Sequence, residues 1–208
     1  MSLITKILDH IRENYKVDLR ALALMRIAIG VVILIDLIIR ASSLTAHYTH
    51  EGVLPVSLLL EFDSRPLRWS FHYLNDSFAY QAVLFFVHGI ITLFLIAGWR
   101  TRLITFLSWV FIVSMQNRNP YILQSGDDLL RMVLFWALFM PWGNFYSWDA
   151  KKIRSEIKDY FSIASFGYLL LIVSVYLFSA IQKNSPEWRT EGTAIYYALS
   201  LDQLKLGM

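Results

Sequence analysis

Lys183 stands at the end of a long apolar stretch, in Ala180-Ile181-Gln182-Lys183-Asn184-Ser185-Pro186-Glu187-Trp188. A lysine shielded from water loses its proton more readily, because desolvation disfavours the charged form. Beside a bound small molecule it could then act as a base. The plainer role is structural: an end-of-span lysine caps the last helix carbonyls and snorkels its ammonium to the interface.

Other charges lie inside apolar runs, where each costs about 2.5–3.5 kcal/mol and needs a partner or a role. Asp36 and Arg40 are four apart, as are Asp127 and Arg131, while Asp128 and Arg131 are three apart. Both spacings put a pair on one helix face. Arg26 has no local partner, so its counter-charge is expected from another helix, with Asp36, Asp127 and Asp128 as candidates. Such pairs either hold a bundle together or line a polar cavity that admits an anion or a carbonyl-bearing headgroup. His47, His50 and Glu51 have spacing that could bind a metal, but Gly52 and Pro55 follow at once and the stretch reads as loop. Zinc sites need three or four ligands and no second cluster is visible, so no metal is expected. His88 reads as a hydrogen-bonded packing residue. The chain has no Gly-x-Ser-x-Gly elbow, no phosphate-binding glycine loop and no His-Glu-x-x-His, so catalysis would rest on Lys183 or on the intramembrane charges.

The elements that must position these residues are apolar runs of spanning length. A spanning helix needs about 20 mainly apolar residues. The runs fall at about 21–39, 77–98, 103–116, 127–142 and 161–182. The second and third flank Gly98-Trp99-Arg100-Thr101-Arg102 as a tight hairpin. The fold class expected is all-α: a polytopic transmembrane bundle of about five spans over 19–208, preceded by an amphipathic surface helix over 1–18. In that helix Leu3, Ile4, Ile7, Leu8, Ile11 and Tyr15 recur at helical spacing, with charged residues between them, the pattern of a helix lying on a membrane. It lacks the apolar run and cleavage site of a signal peptide. Residues 41–76 form the longest connection, and Trp69, Phe71, Tyr73 and Leu74 place its end at the interface.

Composition agrees. Of 208 residues 56% are hydrophobic and only 17% charged, and the mean hydropathy is +0.47, against about a quarter charged in soluble domains. That excludes a typical soluble enzyme and a disordered chain. With no cysteine, thiolate chemistry and cysteine-ligated metals are excluded. The net charge of +3 comes without a basic-aromatic cluster, so no nucleic-acid partner is expected. Five spans put the termini on opposite sides. With the N-terminus cytoplasmic, Lys6, Arg12, Lys16, Arg20, Arg100, Arg102, Lys151, Lys152, Arg154 and Lys158 face inward, ten in all. Arg40, Arg65, Arg68, Arg118, Lys183, Arg189 and Lys205, seven in all, face outward. The bias favours a multi-pass membrane protein with its N-terminus cytoplasmic and its C-terminus on the outer side.

Six strings then stand in register: Arg26-Ile-Ala-Ile-Gly30 with Asp36; Tyr48-Thr-His-Glu-Gly52-Val-Leu-Pro55; Gly98-Trp-Arg-Thr-Arg102; Asn117-Arg-Asn-Pro120 with Gly126-Asp-Asp-Leu-Leu-Arg131; Pro141-Trp-Gly143 with Ser147-Trp-Asp149; and Glu187-Trp-Arg-Thr-Glu-Gly192-Thr-Ala194. In order and spacing they resemble the horizontally transferred transmembrane domain family, the membrane part shared with vitamin K-dependent gamma-carboxylase. The resemblance covers nearly the whole chain after residue 18. It implies a polytopic helical bundle with a cytoplasmic N-terminus. In the carboxylase a membrane-embedded lysine is the base of hydroquinone oxygenation, and Lys183, five residues before Trp188, looks like its counterpart. The carboxylase also uses a histidine ahead of the fourth span. The matching position here is Asn119, before Pro120-Tyr121, a departure that weighs against oxygenation chemistry. The carboxylase's large lumenal substrate domain has no counterpart here, and the last residues look like the start of a further element, completed by more chain or by a partner.

The expected function is therefore a non-catalytic subunit or scaffold of a larger membrane assembly, with lipids and other integral membrane proteins as partners. The alternative is a membrane enzyme using Lys183 as base on a quinone-like or lipid substrate, a quinone or bound lipid being the cofactor candidates. A transporter built on the buried charges is the weakest reading, because no internal repeat of the inverted-transporter kind is visible.

Overall fold

Asp18 decides where the first long helix begins. Its carboxylate accepts the backbone N–H of Arg20 at 2.7 Å and pairs with the Arg20 guanidinium at 2.6 Å, which holds its pKa down at about 2. That satisfies a donor the helix would otherwise leave open. A computed structural model describes residues 3–62, 69–153 and 158–200. Arg65, Arg68, Arg154 and Lys205, counted above for orientation, lie outside the described residues.

In chain order the elements are α1 (Leu3–Asn14), β1 (Val17–Asp18), α2 (Leu19–Ser42), α3 (Leu44–Tyr48), α4 (Val56–Phe62), α5 (Phe78–Ala97), α6 (Thr101–Arg118), α7 (Ser125–Ala137), α8 (Ala150–Ile153), β2 (Asp159–Tyr160), α9 (Ile163–Gln182), α10 (Pro186–Arg189) and α11 (Ala194–Ser200). Short 3-10 turns cover Phe71–Tyr73 and Pro120–Ile122. Among the described residues the chain is all-α apart from β1 and β2, which pair antiparallel, Val17 opposite Tyr160 and Asp18 opposite Asp159. It divides into two compact units, Met1–Phe166 and Gly167–Met208.

Among the described residues three helices, not five, are long and apolar enough to cross a membrane: α2, α5 and α9. They match the first, second and fifth expected spans. The other two fall short for different reasons. In α6 the apolar run is broken by Thr101, Thr105, Ser108, Ser114, Gln116 and Arg118, all of them buried. These six point inward and lower its hydropathy, while Arg102 in its first turn is exposed. In α7 the helix ends at Ala137, short of Pro141, and the remainder to Trp142 is turn-like.

In the first unit α2 packs on α5, α5 on α6 and α6 on α7. The core holds Leu19, Leu22, Ala23 and Ile33 of α2, Leu95 of α5, Ile104 and Ile112 of α6, and Leu134 of α7. The outward faces are also apolar: Val32, Ile35, Ile38 and Ile39 of α2, and Val83, Phe86 and Leu93 of α5, are exposed. An apolar outside around a partly polar inside suits lipid as the solvent. In the second unit α9 continues as a mostly exposed apolar helix followed by α10 and α11.

Candidate functional site

Two clusters of polar residues in the first unit lie toward opposite ends of its helices. At one end Arg26 is completely buried. Its guanidinium donates from Nε to the Trp142 carbonyl at 3.2 Å, from Nη1 to those of Leu95 and Ile96 at 2.7 Å, and from Nη2 to that of Tyr146 at 2.7 Å. This corrects the expectation of an acidic partner. Asp36 is ten residues further along the same helix, about 15 Å away, and the acids at 127 and 128 lie with it at the far end. Arg26 is instead the shared donor for the last carbonyls of α5 and for the 142–146 turn.

The neighbouring residues are shaped around that guanidinium. Gly98 ends α5 in the left-handed conformation, φ 69°, and a Cβ there would sit 2.9 Å from Arg26 Nη1. Gly143 lets Thr101 close in, since a Cβ would lie 2.5 Å from Thr101 Oγ1. Asp149 caps the start of α6 across the sequence, accepting Arg100 N at 3.1 Å, Thr101 N at 2.7 Å and Thr101 Oγ1 at 2.7 Å. The Trp142 indole donates to Thr105 Oγ1 at 3.0 Å.

At the other end Arg40 joins two carboxylates. Nε meets both oxygens of Asp36 at 2.8 Å, and Nη2 meets Asp127 Oδ1 at 2.6 Å. The i,i+4 pair expected from spacing is therefore present, and a second bond ties α2 to α7. Asp127 also accepts Gln124 N at 2.8 Å, closing the first turn of its own helix. Arg131 pairs with Asp128 rather than Asp127, in a partly exposed position. The triad lines a cavity of about 450 Å³ shared with His47 and Gln124.

Asn119 is buried beside this cavity. Its amide donates to the His47 carbonyl at 3.3 Å, and its oxygen accepts Tyr121 N at 3.2 Å, so it caps the 120–122 turn. His47 and His50 do not converge. His50 is exposed against Asp76 and Glu51, whereas His47 Nδ1 is buried without a hydrogen-bond partner. His88 is buried, with its Nε2 likewise unpartnered and its ring 5.4 Å from that of Phe111, so the expected hydrogen bond at that nitrogen is missing.

Sequence reasoning missed two residues here. Arg118, counted above as an outer charge, is fully buried. It donates to the Leu54 carbonyl at 2.8 Å and to that of Thr49 at 3.5 Å. His72 is buried with Nδ1 2.5 Å from Gln81 Oε1, and Gln81 Nε2 donates back to the His72 carbonyl at 3.1 Å. No local signal in the sequence distinguishes either residue from a loop charge. Burial lowers the His72 pKa to about 4, with Arg118 adding to the effect and Gln81 opposing it. The folded state therefore keeps His72 neutral, a preference that is complete above the unfolded value of 6.5 and is lost as pH falls toward 4. Over that window it removes about 3 kcal/mol. The melting temperature of detergent-solubilised protein is expected to fall between pH 6.5 and 4, and His72→Gln to flatten the fall. An unchanged pH profile in His72→Gln would assign the acid sensitivity elsewhere.

Lys183 belongs to the second unit. It is exposed, and its ammonium lies 4.7 Å from the Trp188 ring centre, a cation–π contact. Among the described residues no group of three His, Asp or Glu side chains is placed to hold a metal ion. No family model, curated protein or solved structure matches the chain.

Proposed function

We propose that this chain is a non-catalytic subunit or scaffold of a larger membrane assembly, a five-span bundle akin to the membrane domain of gamma-carboxylase, with its N-terminus cytoplasmic and its C-terminus on the outer side. The observation that carries this reading is how the intramembrane charges are used. Arg26 is engaged by four carbonyls and Arg40 by two carboxylates, so both serve to join helices. Five of the six sequence strings take part in these contacts or in the caps beside them, which gives their spacing an architectural reason. Arg26, the Gly98 hairpin and the Pro141–Asp149 stretch meet at one end. Asp36, Tyr48, Arg118 and Asp127 gather at the other.

Five crossings are supported by the course of α6 and α7. α6 runs from the Asp149 cap to Arg118 beside Thr49 and Leu54. α7 returns from Asp127, beside Arg40, toward Trp142, beside Arg26. Both thus run between the same two polar clusters that α2 and α5 help to form. The exposed Lys183 weighs against the enzyme reading. The apolar surface of α9, with Leu170, Val173, Leu177 and Ile181 exposed, is what a partner helix or lipid would cover.

The test is site-specific photo-crosslinking along α9 in native membranes, with and without Lys183→Ala. Crosslinks to one protein species along one helix stripe, unchanged by Lys183→Ala, are expected. Crosslinks to lipid all round α9, together with a quinone-consuming activity that disappears in Lys183→Ala, would replace the subunit reading with the enzyme reading.

A further inference from the structure

A cavity of about 530 Å³ opens between the first turn of α6 and the Met140–Asn144 segment. Leu103, Met140, Pro141 and Trp142 supply its apolar walls, and Arg100 and Arg102 stand at its rim. The acid at the rim, Asp149, has both oxygens bonded to the start of α6. The lining thus holds two guanidinium groups to one carboxylate, with the Arg100 guanidinium 5.1 Å from the Trp99 ring centre, which leaves a net positive rim reinforced by the positive end of an 18-residue helix.

The backbone adds an independent observation. Arg100 has φ 44°, in the left-handed region where glycine is favoured and a side chain is strained. Two residues earlier the chain places Gly98 in the same region. A long cationic side chain at position 100 therefore sits where the backbone alone would favour glycine. Exposed Tyr146 and Trp148, at 57% and 55%, lie in the adjoining loop, and such aromatics settle at headgroup level. A rim of cations over an apolar slot fits a ligand that is anionic at one end and hydrocarbon at the other.

We propose that the cavity between α6 and the Met140–Asn144 segment is a binding site for an anionic glycerophospholipid, its phosphodiester held by Arg100 and Arg102 and an acyl chain lying against Leu103, Met140 and Trp142. The site needs only that this end of the bundle lie at a membrane surface. It stands or falls separately from the subunit reading, because Lys183 and α9 take no part in it.

The test uses full-length protein purified in mild detergent and stripped of lipid. Phosphatidylglycerol near saturation is expected to raise Tm by about 5 °C. Phosphatidylcholine, which lacks the net charge, and glycerol 3-phosphate, which lacks the chains, are expected to leave it unchanged. Arg100→Gly separates the two roles of that position. Without lipid it is expected to melt no lower than the parent, since the backbone strain is relieved, yet to lose most of the phosphatidylglycerol shift. Arg102→Ala should lose the shift as well, and Leu103→Trp should lose it by filling the slot while both arginines remain. Native mass spectrometry gives a second reading: one retained phosphatidylglycerol on the parent and none on Leu103→Trp. An equal shift from phosphatidylcholine, an equal shift from glycerol 3-phosphate, or a full shift persisting in Arg100→Gly/Arg102→Ala would each overturn the proposal.

Discussion

Replacing Arg26 by leucine is expected to remove the folded protein rather than to impair a folded one. The guanidinium supplies four hydrogen bonds to carbonyls from two stretches far from it in sequence. Leucine would remove all four donations, leaving the Leu95 carbonyl only the Gly98 N–H at 3.2 Å. An orphaned buried acceptor costs about 1–3 kcal/mol, and even allowing for partial relaxation the total is about 4 kcal/mol or more. Against a native stability of about 5–15 kcal/mol, that is enough to shift most molecules to misfolded or degraded forms. Lysine keeps the charge but offers a compact ammonium in place of a planar fork with five donors. Arg26→Lys is therefore expected to fall between the parent and Arg26→Leu. The measurement is the monodisperse fraction on size-exclusion chromatography after mild detergent extraction, with Arg20→Leu as comparison. Arg20 pairs with Asp18 at the exposed start of the same helix, where ion pairs contribute little. If Arg26→Leu extracts and melts like Arg20→Leu, the buried guanidinium does not hold this end of the bundle together.

Arg26 also shows where reading the sequence succeeds and where it stops. The apolar runs at 21–39, 77–98 and 161–182 are legible because lipid solvation imposes length and composition directly, and α2, α5 and α9 follow them within a few residues. The Asp36–Arg40 pair is legible because both partners sit on one helix at a spacing set by helix geometry. The partners of Arg26 are not legible, because they are backbone carbonyls, and every residue has one. Their only trace in the string is indirect: Gly98 and Gly143, where a Cβ would collide with Arg26 or Thr101. Arg118 and Asn119 mislead for the same reason. Each looks like a loop residue, yet both are buried where they donate to the backbone carbonyls of Leu54, Thr49 and His47. Lys183 follows an apolar run, and its ammonium, exposed just past the end of α9 at Gln182, lies against Trp188. The shortfall of α6 in hydropathy has a physical cause as well, since Thr105, Ser108 and Ser114 are buried at 0% exposure and spend their polarity inside the bundle.

Arg40→Leu is expected to be the most damaging change at the opposite end, and the charge count says why its effect differs from that of removing an acid. Arg40, Asp36 and Asp127 are one cation and two anions, with side chains 11%, 26% and 10% exposed. Removing the cation leaves two nearby carboxylates without their shared counter-ion, and breaking a buried pair in this way costs about 3–5 kcal/mol. Removing either anion leaves a neutral one-to-one pair. Asp127→Asn keeps an oxygen to accept Gln124 N at the start of α7, so its cost is about 1–2 kcal/mol. The order of melting temperatures should therefore be parent, then Asp127→Asn or Asp36→Asn, then Arg40→Leu. The double variant Arg40→Leu/Asp127→Asn should melt above Arg40→Leu alone, because one of the two unpaired charges is gone. If the double variant is no better than Arg40→Leu, the two acids do not repel across the α2–α7 contact, and the triad is packing rather than an electrostatic clasp.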